Sequence, residues 1–275
     1  MSSQHDEHDE HDVYTHGHHD AVLRSHRWRT AQNSAAYLLP ELRPGQRLLD
    51  VGCGPGTLTA DLARLVAPGP VVGIDVAAAV LDEARDHAAA AGVGNVSFQA
   101  GDFRTADLAP ASFDVVHAHQ VLQHLRDPVG ALAAMARLVR PGGVVAVRDG
   151  DYASMTWSPD DAGLDRWLEL YSAVTHRNGG EPNAGRHLLS WAHRAGLADA
   201  TYTTSTWTYV SPADRSWWAE LWADRVTSST FGEQAVGYGL ATPADLADIA
   251  AAWRAWAAAE DGLFIVLHGE VVARV

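Results

Sequence analysis

Between residues 46 and 150, short apolar runs alternate with longer segments rich in Ala and Leu. This alternation is typical of a parallel sheet whose strands are connected by helices. The predicted strands are residues 47–51, 71–75, 96–99, 113–118 and 144–148, and the predicted helices are residues 57–66, 80–91 and 129–139. Because such crossovers are right-handed, the carboxyl ends of these strands should meet at one edge of the sheet.

After residue 150 this alternation weakens, and nine of the ten tryptophans follow, from Trp157 to Trp256. We predict helices at residues 160–175, 184–195, 212–226 and 243–259, and strands at residues 200–209, 263–267 and 271–275. The helical spacing of Trp218, Leu221 and Trp222 is typical of a core stripe. The same rings are also suited to an aromatic pocket for a planar or cationic ligand, so both interpretations stay open.

The N-terminal part divides into a polar leader and a helical segment. Residues 1–19 alternate His with acidic residues and carry too little apolar surface to order fully; such a tail implies no fixed metal geometry, and no metal site is predicted. Residues 20–45 should form a helix or helix pair over the next domain. The predicted organisation is therefore leader 1–19, helical segment 20–45, ligand-binding core 46–150, and 151–275 with helical cap insertions at about 151–180 and 211–262.

Charge and cysteine content narrow the partners. The 275 residues carry a net charge of −14, which disfavours nucleic acid and anionic membrane surfaces as partners. Cys53 is the single cysteine, and no export leader or long apolar run is present, so a cytoplasmic location is expected. A small molecule is the expected partner, and a homodimer is left open.

The segment LLDVGCGPGT, residues 48–57, is an apolar strand that ends in a glycine turn and opens a helix. Glycine permits the sharp turn and lets a ligand approach the backbone. The next strand ends at Asp75, where a carboxylate can accept hydrogen bonds from ribose hydroxyls. The third strand is followed by Asp102 and Phe103, which can hold an adenine by its amino group and its face.

A dinucleotide site is the competing interpretation of this turn. Its G-x-G-x-x-G motif would need glycine where Thr57 stands, and Pro55 removes a backbone donor. An NAD(P)-dependent oxidoreductase is disfavoured but stays open.

As an ordered set these segments resemble class I S-adenosylmethionine-dependent methyltransferases, especially the ubiquinone/menaquinone-biosynthesis type. The matching segments are LLDVGCGPG, VVGID, the GD of AGDF, FDVVHAHQVLQHLRDP and LVRPGGVVAV. The resemblance implies an α/β, doubly wound, Rossmann-like and mostly parallel seven-stranded sheet with an antiparallel last strand and a final hairpin. It also implies S-adenosylmethionine as cofactor and S-adenosylhomocysteine as product. The implied cofactor residues are Gly52, Cys53, Gly54, Gly56, Asp75, Val76, Gly101, Asp102, Phe103, His119 and Gln120, together with Tyr14, Arg29 and Gln32 of the N-terminal part.

The acceptor side of the site is less well defined. His119, and after it His124, are candidate general bases, although a structural histidine is the commoner role for either. Candidate acceptor contacts are Tyr14, His18, Asp151, Tyr152, Trp157, His176, Trp218 and Trp222. Asp151 and Tyr152 could equally belong to a solvated loop, and His176 could complement a helix end.

The predicted function is in-line transfer of a methyl group to an O, N or C nucleophile of a small molecule in a capped pocket. Holding the reacting atoms at ~3–3.5 Å and excluding water supplies much of such a rate. Two alternatives stay open: a protein that binds the cofactor without methyl transfer, and the oxidoreductase.

Overall fold

The computed structural model describes residue 15 and residues 20–275. Its helices are α1 Asp20–Arg27, α2 Ala31–Ser34, α3 Thr57–Val66, α4 Val80–Ala90, α5 Pro128–Leu138, α6 Ala162–Arg177, α7 Ala184–Arg194, α8 Pro212–Ser228, α9 Thr230–Gly237 and α10 Pro243–Ala257. Its strands are β1 Leu48–Val51, β2 Val71–Asp75, β3 Val96–Ala100, β4 Phe113–His119, β5 Val139–Gly150, β6 Thr156–Ser158, β7 Asp199–Tyr209 and β8 Leu263–Arg274.

The strands form one sheet in the order β3-β2-β1-β4-β5-β8-β6, and β7 also pairs with β8. Strands β1 to β5 are parallel, whereas β8 runs antiparallel to its neighbours β5, β6 and β7. Val51 at the end of β1 lies beside Ile74 of β2 and Ala118 of β4. The strand ends that carry the predicted ligand contacts therefore share one edge, as the sequence pattern predicts.

Helices cover both faces of this sheet, which explains why its central strands are apolar throughout. On one face, α3 and residues 31–42 pack on the sheet through Leu38, Leu62 and neighbouring side chains. On the other face, α5 and α7 contribute Met135 and Leu188. The doubly wound, mostly parallel α/β fold is confirmed.

The sheet differs from the prediction at its antiparallel side. It has eight strands, because the short strand β6 pairs with Leu263, Phe264 and Ile265 of β8. The two predicted terminal strands are a single strand, β8, which pairs antiparallel with β7. His268 and Glu270 lie between the two predicted strands, and both are buried.

Helices α6, α8, α9 and α10 pack together around a cluster of tryptophans, which we call the cap. The ring of Trp167 lies 4.5 Å from that of Trp222 and 4.9 Å from that of Trp253, both edge to face. Helix α9 is not predicted from the sequence. Its N-terminus is capped by Ser229, whose hydroxyl accepts a hydrogen bond from the backbone amide of Phe231.

The N-terminal helix pair is present as α1 and α2. Arg27 of α1 forms an ion pair with Glu83 of α4, and Arg24 forms one with Asp224 of α8, so α1 joins the sheet domain to the cap. The predicted leader lies outside the described residues except for Thr15, a buried residue whose hydroxyl accepts a hydrogen bond from Asn178 at 3.0 Å. In the part of the chain that the structure describes, no helix has the length and apolar character needed to cross a membrane.

Candidate functional site

A cavity of about 800 Å³ opens at the carboxyl edge of the sheet, beneath α1 and the cap. Pockets for small ligands typically measure roughly 300–1,000 Å³, so this one approaches the upper end of that range. On the side of β1, β2 and β3 lies what we call the cofactor end, lined by Gly52, Gly54, Ile74, Asp75, Val76, Gly101, Asp102 and Phe103. On the side of β5, β8 and the cap lies the aromatic end, lined by Tyr152, Met155, Trp207, Trp218, Trp222, Arg225 and Val266.

The glycine turn frames the cofactor end. Gly52 and Gly54 have φ angles of +67° and +52°, a conformation that favours glycine. A Cβ atom on Gly52 would lie 2.5 Å from a methyl carbon of Val121. Gly52 and Gly54 line the cavity, so a ligand can reach their backbone.

Gly56 and Cys53, the other two predicted residues of the turn, do not line the large cavity. A Cβ atom on Gly56 would lie 2.8 Å from that of Ala84, so this glycine serves the contact between α3 and α4 and does not line the large cavity. Cys53 is buried and lines only a small adjoining cavity of about 20 Å³. Burial, with a smaller contribution from Asp50 and Asp75, raises the pKa of its thiol.

The carboxylate of Asp75 is fixed by the backbone around it. One oxygen accepts a hydrogen bond from the amide of Gly54 at 2.9 Å, and the other accepts one from Ala77 at 2.9 Å. Each carboxylate oxygen has a second acceptor site, so Asp75 can still bind a pair of hydroxyl groups. Asp75 and its neighbour Val76 both line the cavity.

Asp102 and Phe103 stand at the end of the third strand, as predicted. Burial alone would raise the pKa of Asp102, but hydrogen bonds from Arg104, the shortest at 2.6 Å, outweigh it and lower that pKa. The carboxylate is therefore an ionised acceptor. Phe103 is buried and presents an apolar ring to the cavity, and Gly101 precedes the pair with φ +143°.

Gln120 follows β4 in a left-handed conformation, with φ +54°. Its amide oxygen accepts a hydrogen bond from Arg29, and its amide nitrogen lies 3.1 Å from Nε2 of His268. Since the amide nitrogen donates, Nε2 of His268 is the acceptor and the proton of this neutral ring is on Nδ1. Gln120 thus joins the N-terminal segment to β8 across the centre of the cavity.

His119 lines the cavity beside Gln120. Within residues 15 and 20–275, neither of its ring nitrogens has a hydrogen-bond partner. Burial, followed by the charges of Arg29 and Arg148, lowers its pKa well below the usual value. A neutral imidazole in this position can accept a hydrogen bond or a proton from a bound molecule.

His124 also lines the cavity, on the 3₁₀ helix Leu122–His124. Burial, followed by the charge of Arg29, lowers its pKa to about 3. Its Nε2 lies 3.1 Å from the side-chain amide nitrogen of Gln123, a lining residue that the sequence analysis missed. The backbone amide of Gln123 donates a hydrogen bond to the buried carboxylate of Asp149 at 3.1 Å, and burial raises the pKa of this carboxyl to about 7.

The aromatic end contains predicted and unpredicted residues. Tyr152, Trp218 and Trp222 line it as predicted, and Trp207 and Arg225 join them. The guanidinium of Arg225 lies 4.9 Å from the ring centre of Trp222, and that of Arg148 lies 4.9 Å from the ring centre of Trp207. The alternation of Trp207 with threonines along β7 is the sequence signal that could have identified it as a lining residue.

Besides Cys53 and Gly56, four further predicted residues do not line the cavity. Asp151 is buried in an ion pair with Arg186, with 2.6 Å between Oδ2 and Nε. Trp157 stacks on Phe264 at 5.6 Å, because β6 draws it to the edge of the sheet. His176 is exposed at the end of α6, 3.7 Å from Glu181, and Gln32 is exposed on α2. Tyr14 and His18 lie outside the described residues.

The cofactor end fits S-adenosylmethionine in its donor and acceptor groups. The turn at Gly52 and Gly54 leaves open backbone, Asp75 offers oriented acceptors, and Asp102 with Phe103 offers an acceptor and an apolar ring. These contacts follow one another along the ends of β1, β2 and β3, which matches the extended shape of such a molecule.

Comparison with known proteins gives a consistent result. Residues 42–196 match the family described as "Methyltransferase domain". An uncharacterised methyltransferase of Schizosaccharomyces pombe is 30% identical over 272 residues, covering 94% of this chain and 95% of the relative. A ubiquinone biosynthesis O-methyltransferase of Paracidovorax citrulli is 43% identical over 102 residues, or 37% of this chain and 42% of the relative.

Among solved structures, phosphoethanolamine N-methyltransferase 2 of Haemonchus contortus, in complex with phosphomonomethylethanolamine and S-adenosylhomocysteine, superimposes with a TM-score of 0.58. The match covers 93% of this chain and 57% of that chain. At 16% identity, this likeness is one of fold alone.

Proposed function

The chain belongs to the methyltransferase-domain family and is an S-adenosylmethionine-dependent methyltransferase, and we propose that it methylates a small molecule bound at the aromatic end of its cavity. The observation that carries this proposal is the shared cavity, in which the oriented carboxylate of Asp75 and the aromatic rings of the cap face one space. With the family established, the oxidoreductase and the non-catalytic binding protein are set aside. The cytoplasmic location and the homodimer stay as predictions.

In this proposal the cofactor end holds the cofactor through side chains on three strand ends. Gly52 and Gly54 contact its methionine part, Asp75 accepts hydrogen bonds from its ribose, and Asp102 with Phe103 contacts its adenine. Val76, Gly101, His119, Gln120 and Arg29 complete this surface. The cofactor, when bound, supplies an electrophilic methyl group on a sulfonium.

The chain's own residues then position the acceptor and exclude water. Tyr152, Trp218 and Trp222 form rigid walls, because each ring is buried against further rings of the cap. His119 stands at β4, between the two ends, and can accept a proton from an acceptor held there. Orientation and desolvation supply much of the rate in such a displacement, so a strong base is not required.

The test is a turnover assay with purified protein, S-adenosylmethionine and a panel of small phenols, enols and amines. We expect S-adenosylhomocysteine to form together with an equal amount of methylated product, detected by mass spectrometry. A protein that binds the cofactor yet forms no S-adenosylhomocysteine with any member of the panel would contradict the proposed activity.

A further inference from the structure

The aromatic end of the cavity is flat and rigid. Trp218 stacks on Tyr209 at 4.4 Å with 10° between their planes, and Tyr152 stacks on Tyr171 at 4.0 Å with 17° between theirs. Trp218 and Tyr152 line the cavity, while their stacking partners lie behind them. Rings held in this way favour a planar ligand over a bulky branched one.

Two of the ring faces that could attract a cation, on Trp207 and Trp222, are already covered. A quaternary or protonated amine binds over the open faces of aromatic rings or beside carboxylates. Here Arg225 covers a face of Trp222 and Arg148 covers a face of Trp207. Of the described lining residues, the acidic ones are Asp75 and Asp102, both at the cofactor end.

The charges near the reacting centre favour a negative acceptor. The guanidinium of Arg29 lines the cavity and donates a hydrogen bond to Gln120, the residue after His119. Burial is the main cause of the lowered pKa of His119, and the positive charge of Arg29 adds to it. By Coulomb's law, the guanidinium of Arg29 stabilises a negative charge that develops in the same place, whereas the charge of Arg148 is balanced by Glu270. A hydroxyl that loses its proton there gains stability, whereas an ammonium group loses it.

From these contacts we infer that the acceptor is a planar compound that reacts as an oxyanion, a phenolate or an enolate, and that an amine is not the substrate. This inference rests on the proposed methyl transfer and specifies its acceptor. The bond between sulfur and the methyl carbon breaks, and its electron pair stays on sulfur. The acceptor oxygen forms the new bond to carbon, and its proton is released to water, with the neutral ring of His119 placed to accept a hydrogen bond from the hydroxyl before the proton leaves.

The experiment compares two probes of similar shape, 2-naphthol and 2-naphthylmethylamine, on the full chain saturated with S-adenosylhomocysteine. Binding is measured by titration, and the ionisation of bound naphthol is read from its absorbance. We expect naphthol to bind at least tenfold more tightly than the amine and its pKa to fall on binding. Equal or tighter binding of the amine, a raised pKa of bound naphthol, or no binding of either probe would overturn the inference.

Two variants test whether Arg225 causes the preference for naphthol over the amine. Arg225→Met removes the charge over Trp222 but keeps much of the side-chain length, and it should reduce the preference for naphthol at least threefold. The control is Arg254→Met on α10, where Arg254 forms an exposed ion pair with Glu220 of α8. This variant should leave the preference unchanged. An unchanged preference in a folded Arg225→Met variant would contradict the role of Arg225; if that variant does not fold, the wild-type probe comparison still decides.

Failure of this inference is distinguishable from failure of the proposed function. The proposed function fails when S-adenosylhomocysteine itself does not bind or when no methyl transfer occurs. The inference about the acceptor fails when S-adenosylhomocysteine binds but the two probes bind in the wrong order.

Discussion

The backbone amide of Gly54 donates a hydrogen bond to the carboxylate of Asp75 at 2.9 Å, which fixes the glycine turn against the end of β2. Two requirements of a nucleotide site, an open backbone and an oriented carboxylate, thus depend on one another here. A change at either residue should disturb both.

We predict that Gly52→Ala loses both stability and cofactor affinity. At φ +67° an alanine costs about 1–2 kcal/mol, and its Cβ would also press on Val121. The matched control is Gly92→Ala, which has the same φ of +67° but no atom within 4 Å of the added carbon. Urea unfolding and titration with S-adenosylhomocysteine should show a small stability loss alone in Gly92→Ala. Equal behaviour of the two variants would contradict the role of Gly52.

Much of the sheet and of the cofactor end follows from the sequence because each signal there is local. An apolar run marks each of β1, β2 and β4. The glycine turn follows β1 directly in the sequence, and the carboxylate of Asp75 stands at the end of β2. Gly52, Gly54 and Asp75 are therefore found at the cavity without knowledge of distant contacts.

The last strand was divided wrongly because its polar residues are satisfied by distant partners. His268 faces Gln120 of the β4 end, and Glu270 pairs with Arg148 of β5. Between them, Gly269 lets the backbone of Gly185 on α7 approach so closely that a Cβ atom would overlap its carbonyl oxygen. The sequence analysis leaves these three residues between two predicted strands, and tertiary contacts make them part of one buried strand.

The residues on the acceptor side of the cavity could be predicted only in part, because contacts between distant parts of the chain bring them together. Arg225 and Trp207 come from α8 and β7, and nothing local indicates that they share a cavity with Tyr152. Asp151 and His176 carry suitable groups, but one forms a buried ion pair with Arg186 and the other lies at an exposed helix end.

The buried pair between Arg148 and Glu270 should be a large stability determinant. Glu270→Gln would leave the guanidinium of Arg148 buried without its opposite charge, a loss of about 3–5 kcal/mol. Glu220→Gln breaks an exposed pair with Arg254 and should cost at most about 1 kcal/mol. Chemical unfolding of both variants measures the difference, and losses of similar size would show that burial of the first pair has no special effect.

Stability should fall as the pH drops below the usual histidine pKa. Burial lowers the pKa values of His119, His124 and His268 in the folded chain, so the unfolded chain binds their protons first on acidification. Each such histidine destabilises the fold by about 1.4 kcal/mol per pH unit below about pH 6.5. Asp149 acts in the opposite direction, because its pKa of about 7 in the folded chain is raised.

His268→Gln tests this pH dependence, because glutamine can still accept the hydrogen bond from Gln120 without taking up a proton. Urea unfolding between about pH 5 and pH 6.5 should show a slope lower than in the wild type, by an amount that approaches about 1.4 kcal/mol per pH unit toward pH 5. The contribution of Asp149 is common to both proteins and cancels in the comparison. An unchanged slope would mean that His268 does not titrate on unfolding.

The central claim is that Asp75 and the glycine turn bind the cofactor, and isothermal titration with S-adenosylhomocysteine tests it most directly. Wild-type protein should bind with a free energy on the order of −8 kcal/mol, and Asp75→Asn should lose at least ~1.4 kcal/mol, a tenfold loss of affinity. Asp82→Asn, an exposed carboxylate on α4, is the control and should bind like the wild type. Unchanged affinity in Asp75→Asn, or no binding by folded wild-type protein, would contradict the claim.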